Sequence, residues 1–200
     1  MYQPAHHRED RLEVQHALIR SHPFGLLISS GTDGLLANAI PFVLQPTLGS
    51  LGTLEAHMAR ANDQWREIDG QHVLVLFQGP QSYISPSFYE TKRETGKVVP
   101  TWNYAMVQVR GIARLRSDAG WLGKQIEALT TQHENGRSPS WAVSDAPHTY
   151  IESQLRGIMV LEIEVAAIEG KCKVSQNSPV ADLRRFAEGL SHTNAPLPGF

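Results

Sequence analysis

Three stretches of this chain concentrate side chains able to hold an anion or a polar ring. The first is TLEAHMARANDQW, residues 53–65, where an apolar run gives way to His57, Arg60, Asn62 and Trp65. If HMARAND opens a helix, its first backbone N–H groups lack intrahelical partners and favour negative charge. Arg60, one turn in, adds a permanent charge with a forked set of donors, and phosphate is the natural guest. The plainer alternative leaves Arg60 in solvent and uses Trp65 as a core anchor. The second stretch is PTWNYAMV, residues 100–107. Thr101 and Asn103 both donate and accept hydrogen bonds, while Trp102 and Tyr104 offer flat apolar surface with a polar tip. That set suits a planar heterocycle with polar edges, or an aromatic strand start packed into a core.

The third stretch is EGKCKVSQN, residues 169–177. Lys171, Lys173 and Ser175 share one parity, so in an extended chain they point to one face, and Gln176 and Asn177 follow. Two ammonium groups and a hydroxyl suit phosphate-like oxygens. Lysines also guard edge strands against aggregation. A fourth stretch, FQGPQSYISPSFYE at residues 77–90, reads as a loop fixed by Gly79 and its prolines, with Tyr83, Phe88 and Tyr89 more suited to structure than to ligand contact.

Several chemistries lack their signatures. There is no GxGxxG or GxxxxGK[ST] loop, no HExxH and no paired CxxC, and the nine histidines are scattered. No metal site is expected. The lone Cys172 stands between two lysines, which would lower its pKa, but it has no identifiable catalytic partner. One cysteine forms no intrachain disulfide, so nothing points to an oxidising compartment. A net charge of −2 argues against general nucleic-acid binding, and no helix-turn-helix spacing is present. No apolar run reaches membrane-spanning length. A cytoplasmic protein is expected.

The elements that must position these residues follow from periodicity. Residues 10–23 read as a short helix capped by Asp10, with a stripe of Leu12, Val14, Ala17 and Leu18. Residues 24–30 and 35–44 read as a hairpin across GTDG, with Pro41 suggesting an edge or a bulge. Further strands are expected over 51–56, 72–79, 100–117 and 157–170. In the 100–117 strand, Val107, Val109, Ala113 and Leu115 share one face, and Gln108, Arg110, Arg114 and Arg116 the other. Helices are expected over 119–134 and 150–155. Six or seven strands with short links and inserted helices give a mainly β, α+β chain: an antiparallel barrel with peripheral helices. The domain reading is a single domain over residues 1–180, then a C-terminal helix and loosely held tail over 181–200.

MYQP, LIRSHPF, HMARANDQW, VLFQGPQSYISPSFY, VPTWNYAMVQVRG and EGKCKVSQN occur in that order from residue 1 to about residue 177. Together they resemble the PaiB family of FMN-binding negative transcriptional regulators. The resemblance implies an FMN-binding split β-barrel related to pyridoxamine-phosphate oxidases and flavin reductases, with two subunits pairing and FMN at their interface. It implies that His57, Arg60 and Asn62 help build the phosphate and ribityl site, Arg60 being the main phosphate ligand. Thr101, Trp102, Asn103 and Tyr104 would face the isoalloxazine or its chain, and Lys171, Lys173, Ser175 and Gln176 would close the pocket. The chain departs from the family pattern at His7, Glu55–Ala56, Asp63 and Ser178. The implied function is a homodimeric FMN-binding repressor that meets DNA. The alternatives are a flavin-dependent oxidoreductase using NAD(P)H or a small redox substrate, and a haem-handling split barrel.

Overall fold

The structure is a computed structural model that describes residues 1–89, 92, 96–178 and 182. The proposed C-terminal helix and tail lie outside the described residues, apart from Asp182. The strands follow the hydrogen-bonded order β1-β7-β4-β3-β2-β5-β6, and β7 also pairs β6. That second pairing returns the order to a strand already in it, which is the connectivity of a barrel. The chain divides into two units, and β5, β6 and β7 contribute to both.

The larger unit takes in Ile19–Phe77 and Gln108–Ile168. Its hairpin joins β2 (Phe24–Gly31) to β3 (Gly34–Gln45) through Thr32 and Asp33. Gly34 closes this two-residue turn with φ 114°, a conformation costly for any residue with a Cβ. β3 pairs on its other side with β4 (Thr53–Ala59), so it is not the edge strand that Pro41 suggests. Pro41 sits at the handover instead. It pairs with Phe24, where β2 begins, and the β4 ladder starts one residue later at Phe42. The Phe42 amide donates to the Pro23 carbonyl at 2.9 Å, so the missing proline N–H is not needed there.

β4 pairs in turn with β7 (Ile158–Lys173) from Thr53↔Glu164 to Ala59↔Ile158. Met159, Leu161, Ile163 and Val165 of β7 are buried, as alternation predicts. β5 (His72–Ile84) and β6 (Thr101–Arg116) alternate in the same way, and Val107, Val109 and Ala113 are buried while Arg110, Arg114 and Arg116 are exposed. Phe42 and Phe77 meet edge to face at 5.5 Å, among fully buried Leu27, Leu54 and Val75. Two helices longer than one turn also belong here. α3 (Ala119–Glu134) begins where Asp118 accepts from the Trp121 amide, and α4 is His148–Leu155.

The smaller unit takes in Met1–Leu18, Gln78–Val107 and the chain from Glu169 on. A short β1 (Arg8–Glu9) pairs antiparallel with the end of β7, Arg8 opposite Lys171 and Glu9 opposite Gly170. α1 (Leu12–Ser21) crosses the boundary between the units. Its buried side chains are Gln15, His16, Leu18 and Ile19, with Ala17 exposed, so the buried face is rotated from the predicted stripe. Gln15 tolerates burial because its side chain donates to the Glu9 carbonyl at 2.6 Å. Asp10 does not stand free as a cap; it is ion-paired with Arg8. The 77–90 stretch is not a loop throughout. β5 runs on to Ile84, and a 3-10 turn, Pro86–Phe88, follows. Phe88 and Tyr89 pack against buried Ile84, a small core of their own. Among the described residues, no helix is long and apolar enough to cross a membrane.

Candidate functional site

In the larger unit the HMARAND segment does not open a helix. His57 and Met58 continue β4, a turn follows, and α2 (Trp65–Ile68) has only four residues. The amides a helix start would offer to an anion are already used. Arg60 N–H donates to the Gly157 carbonyl at 2.8 Å, Asn62 N–H to Ala59 at 2.9 Å, and Gln64 N–H to Asn62 Oδ1 at 3.1 Å. Trp65 Nε1 donates to the Arg60 carbonyl at 2.8 Å, so the indole locks the turn. β4 extends to Ala59 because β7 supplies pairing partners as far as Ile158.

What the turn presents is therefore the Arg60 side chain. Its guanidinium makes no hydrogen bond or ion pair among the described residues. It lines a cleft of about 530 Å3 with Arg156, Ser117, Ala119, Leu122, Glu152 and Leu155. Arg156 is likewise unpaired among the described residues, and Glu152 lies 3.6 Å from His148 Nδ1. Two forked cations and a hydroxyl, against two leucines, make a cleft suited to an anion. Arg156 and Ser117 escape a reading of the sequence because no motif surrounds them. They join Arg60 through the Gly157 contact and the entry into α3. Of the unusual acids, buried Glu55 accepts from Gln45 at 3.0 Å and exposed Asp63 pairs with Arg66 at 3.0 Å, so each has a local partner. His57 turns toward α3, with Nδ1 2.8 Å from Gln125 Oε1. Gln125 is 1% exposed and its Nε2 has no partner, an orphaned buried donor of the kind that marks polar sites.

In the smaller unit two rungs join β6 to the end of β7 and the residues after it. Lys173 Nζ donates to Thr101 Oγ1, and Ser175 Oγ donates to buried Asn103 Oδ1 at 2.8 Å. Lys171 and Lys173 share a parity within β7, but Ser175 follows the end of the strand with φ 60°, so the extended-chain parity expected for it stops at Lys173. Exposed Trp102 meets Tyr83 edge to face at 5.8 Å. Lys171 Nζ lies 5.3 Å from the ring centroid of Tyr104. Gln176 is engaged with backbone: its Nε2 donates to the His6 and Cys172 carbonyls at 2.7 Å each, and its Oε1 accepts from Val174 at 2.9 Å. Burial pushes the Cys172 thiol up, and Glu9 adds to that, against the lowered pKa its lysine neighbours suggest. In an extended chain those lysines point to the opposite face. Among the described residues no cluster of histidine, cysteine and acids is arranged to hold a metal.

Residues 1–167 match the family model described as "Putative FMN-binding domain". The chain belongs to this family. FMN is accordingly its cofactor, and the unpaired guanidiniums of the cleft are of the right chemistry for a phosphate monoester. An uncharacterized protein of Emericella nidulans, AN0679, is 38% identical, over 96% of this chain and 91% of that one. The Bacillus subtilis protease synthase and sporulation protein PAI 2 is 27% identical, over 98% of this chain and 92% of that one. Among solved structures, the flavocytochrome Anf3 from Azotobacter vinelandii superposes with a TM-score of 0.64 at 11% identity, covering 88% of this chain and 74% of that one. The FAD and heme binding protein from Mycobacterium smegmatis gives 0.60 at 15%, covering 90% and 78%. These likenesses share the antiparallel split barrel with peripheral helices.

Proposed function

We propose that this chain acts as a homodimeric FMN protein of the PaiB type, a negative transcriptional regulator, and that the Arg60 cleft receives the FMN phosphate. The observation that carries the phosphate assignment is the pair of guanidiniums, Arg60 and Arg156, unpaired among the described residues and lining one cleft beside Ser117. Arg60 would take phosphate oxygens bidentately and Arg156 would add charge from the rim. Leu122 and Leu155 would limit water there. Bound FMN supplies redox chemistry; the protein supplies position and field. Comparing FMN with riboflavin isolates the phosphate. One charge-assisted contact is worth roughly 1.5–3 kcal/mol, so FMN should bind about one to two decades tighter than riboflavin in a flavin-fluorescence titration. Equal affinities would remove the phosphate from this cleft.

Two things support the regulator reading: the family resemblance, and the B. subtilis relative whose name refers to sporulation. Arg110 and Arg114 lie on the exposed face of β6, and Arg116 on that face is ion-paired with Glu162 at 3.3 Å. A salt series of gel shifts tests direct contact: steep weakening with salt is expected if phosphates are met. No shift at any salt ends the DNA proposal.

One observation favours a second reading, a flavin-dependent oxidoreductase. The exposed Trp102–Tyr83 pair offers a flat apolar surface at the start of β6, while the Thr101, Asn103, Lys173 and Ser175 rungs hold the opposite face of that strand. The aromatic pair suits stacking by an isoalloxazine or a nicotinamide. Bleaching of bound FMN by NADH or NADPH is the result this reading requires.

A further inference from the structure

We propose that His7, Lys171 and Lys173 form an anion subsite that takes the phosphate or carboxylate of a second small molecule, not the phosphate of FMN. Lys171 is only 9% exposed, yet among the described residues no carboxylate pairs with it. Its Nζ lies 5.3 Å from the ring centroids of both Tyr2 and Tyr104. Cation–π contacts favour the ammonium but leave its charge uncompensated. A buried cation without a counter-ion is costly, so a site that keeps one is built for an anion. Two residues on, on the same face, Lys173 donates to the neutral Thr101 hydroxyl and to no carboxylate among the described residues.

The pairing of Arg8 with Lys171 draws the 3-10 turn Ala5–His7 to this end of β7. His7 Nδ1 is buried there with no hydrogen-bond partner among the described residues. Burial first, then the charges of His6, Lys173 and Lys171, hold the His7 imidazole below its usual pKa, and the Gln176 side chain opposes them. The nearby carboxylates are committed elsewhere. Glu9 is held by Arg11 at 2.5 and 2.8 Å, and Glu169 accepts from the amino group of Met1 at 3.0 Å. An anion between the two ammonium groups would compensate Lys171 and accept from a protonated His7 Nδ1. Its charge would reverse the balance that keeps the imidazole neutral. Binding of the anion and protonation of His7 should therefore reinforce each other, and affinity should rise as pH falls through the His7 pKa.

This proposal rests on the Arg60 cleft holding the FMN phosphate, so the test uses FMN-saturated protein with inorganic phosphate as the probe. Flavin fluorescence in the same samples reports FMN occupancy separately. Phosphate is titrated by calorimetry, and the His7 ring is followed by NMR across pH. Added phosphate should raise the His7 pKa, and the phosphate affinity of the parent relative to His7→Gln should rise roughly tenfold from about pH 8 to about pH 5.5, a ratio in which the ionisation of phosphate itself cancels. Lys171→Met should lose about tenfold in phosphate affinity in FMN-saturated protein, and Lys171→Arg should restore most of it. His7→Gln should leave only the pH dependence of phosphate's own ionisation, and it serves as the second variant if Lys171→Met does not fold. Three results would each overturn the proposal: a His7 titration indifferent to phosphate, a Lys171→Met protein that binds phosphate normally, or phosphate that binds the apoprotein but is excluded once FMN is loaded. The last would show that the lysines hold the flavin's own phosphate.

Discussion

Gly111→Ala is expected to cost the protein more than about 3 kcal/mol, a large share of the stability of an ordinary domain. A Cβ at Gly111 would stand 2.2 Å from the Glu164 carbonyl oxygen and 2.6 Å from Ile163 Cγ2. The first of these is backbone, in a strand that cannot yield locally. Glu164 and Ile163 are paired with Thr53 and Leu54 of β4, so moving β7 aside breaks a ladder whose side chains are fully buried at Leu54 and Ile163. Overpacking usually costs about 1–3 kcal/mol because side chains relax, and here the nearest obstacle has no rotamers. Gly25 is the internal comparison. Its Cβ would meet Phe77 Cε1 at 2.7 Å, Val75 Cγ1 at 3.0 Å and Phe42 Cδ2 at 3.1 Å, all side-chain atoms. Gly25→Ala should therefore be the milder of the two. Urea midpoints measure both. A Gly111→Ala protein with the parent midpoint would mean that β6 does not pass β7 this closely.

The elements that the sequence defines best are those whose limits are set locally. α3 begins and ends where its periodicity does, because Asp118 caps its first turn by bonding the Trp121 amide. The alternation of β6 assigns its buried and exposed faces correctly because one face of that strand carries no polar side chain from Ala105 to Leu115. Strand lengths are another matter, since a partner sets them. β4 outruns its apolar stretch to Ala59 because Ile158 waits opposite, and β5 carries Pro80 on to Ile84. The two-residue β1 has no pattern of its own and exists by pairing with Lys171 and Gly170. The site divides along the same line. Parity puts Lys171 and Lys173 on one face of β7, but nothing local announces that Thr101 receives Lys173, or that Ser175, past the strand end with φ 60°, meets Asn103. Arg60 stands out in its motif, whereas Arg156 is an ordinary arginine until the fold sets it in the same cleft. The Cys172 expectation fails for a related reason. Sequence neighbours in a strand face apart, so burial rather than the flanking lysines governs the thiol.

Arg60→Ala should lower FMN affinity by about one to two decades and leave riboflavin affinity unchanged, because the two flavins differ only where the guanidinium is proposed to act. The substitution spares the turn itself. The bonds that fix it run through the Arg60 backbone, to the Gly157 carbonyl at 2.8 Å and from Trp65 Nε1 at 2.8 Å, and neither needs the side chain. A general loss of structure would weaken both flavins together, so the riboflavin arm separates damage from lost contact. Arg60→Lys keeps the charge but loses the fork and should fall between the parent and alanine. Arg156→Ala should act in the same direction with a smaller effect, since an exposed guanidinium is screened by solvent. If both arginines meet one phosphate, their effects will not add. With one cation gone, the phosphate shifts toward the other, and a double-mutant cycle should show coupling above about 0.5 kcal/mol. Strict additivity would place the two arginines on different ligands. An Arg60→Ala protein with full FMN affinity would take the phosphate out of this cleft altogether.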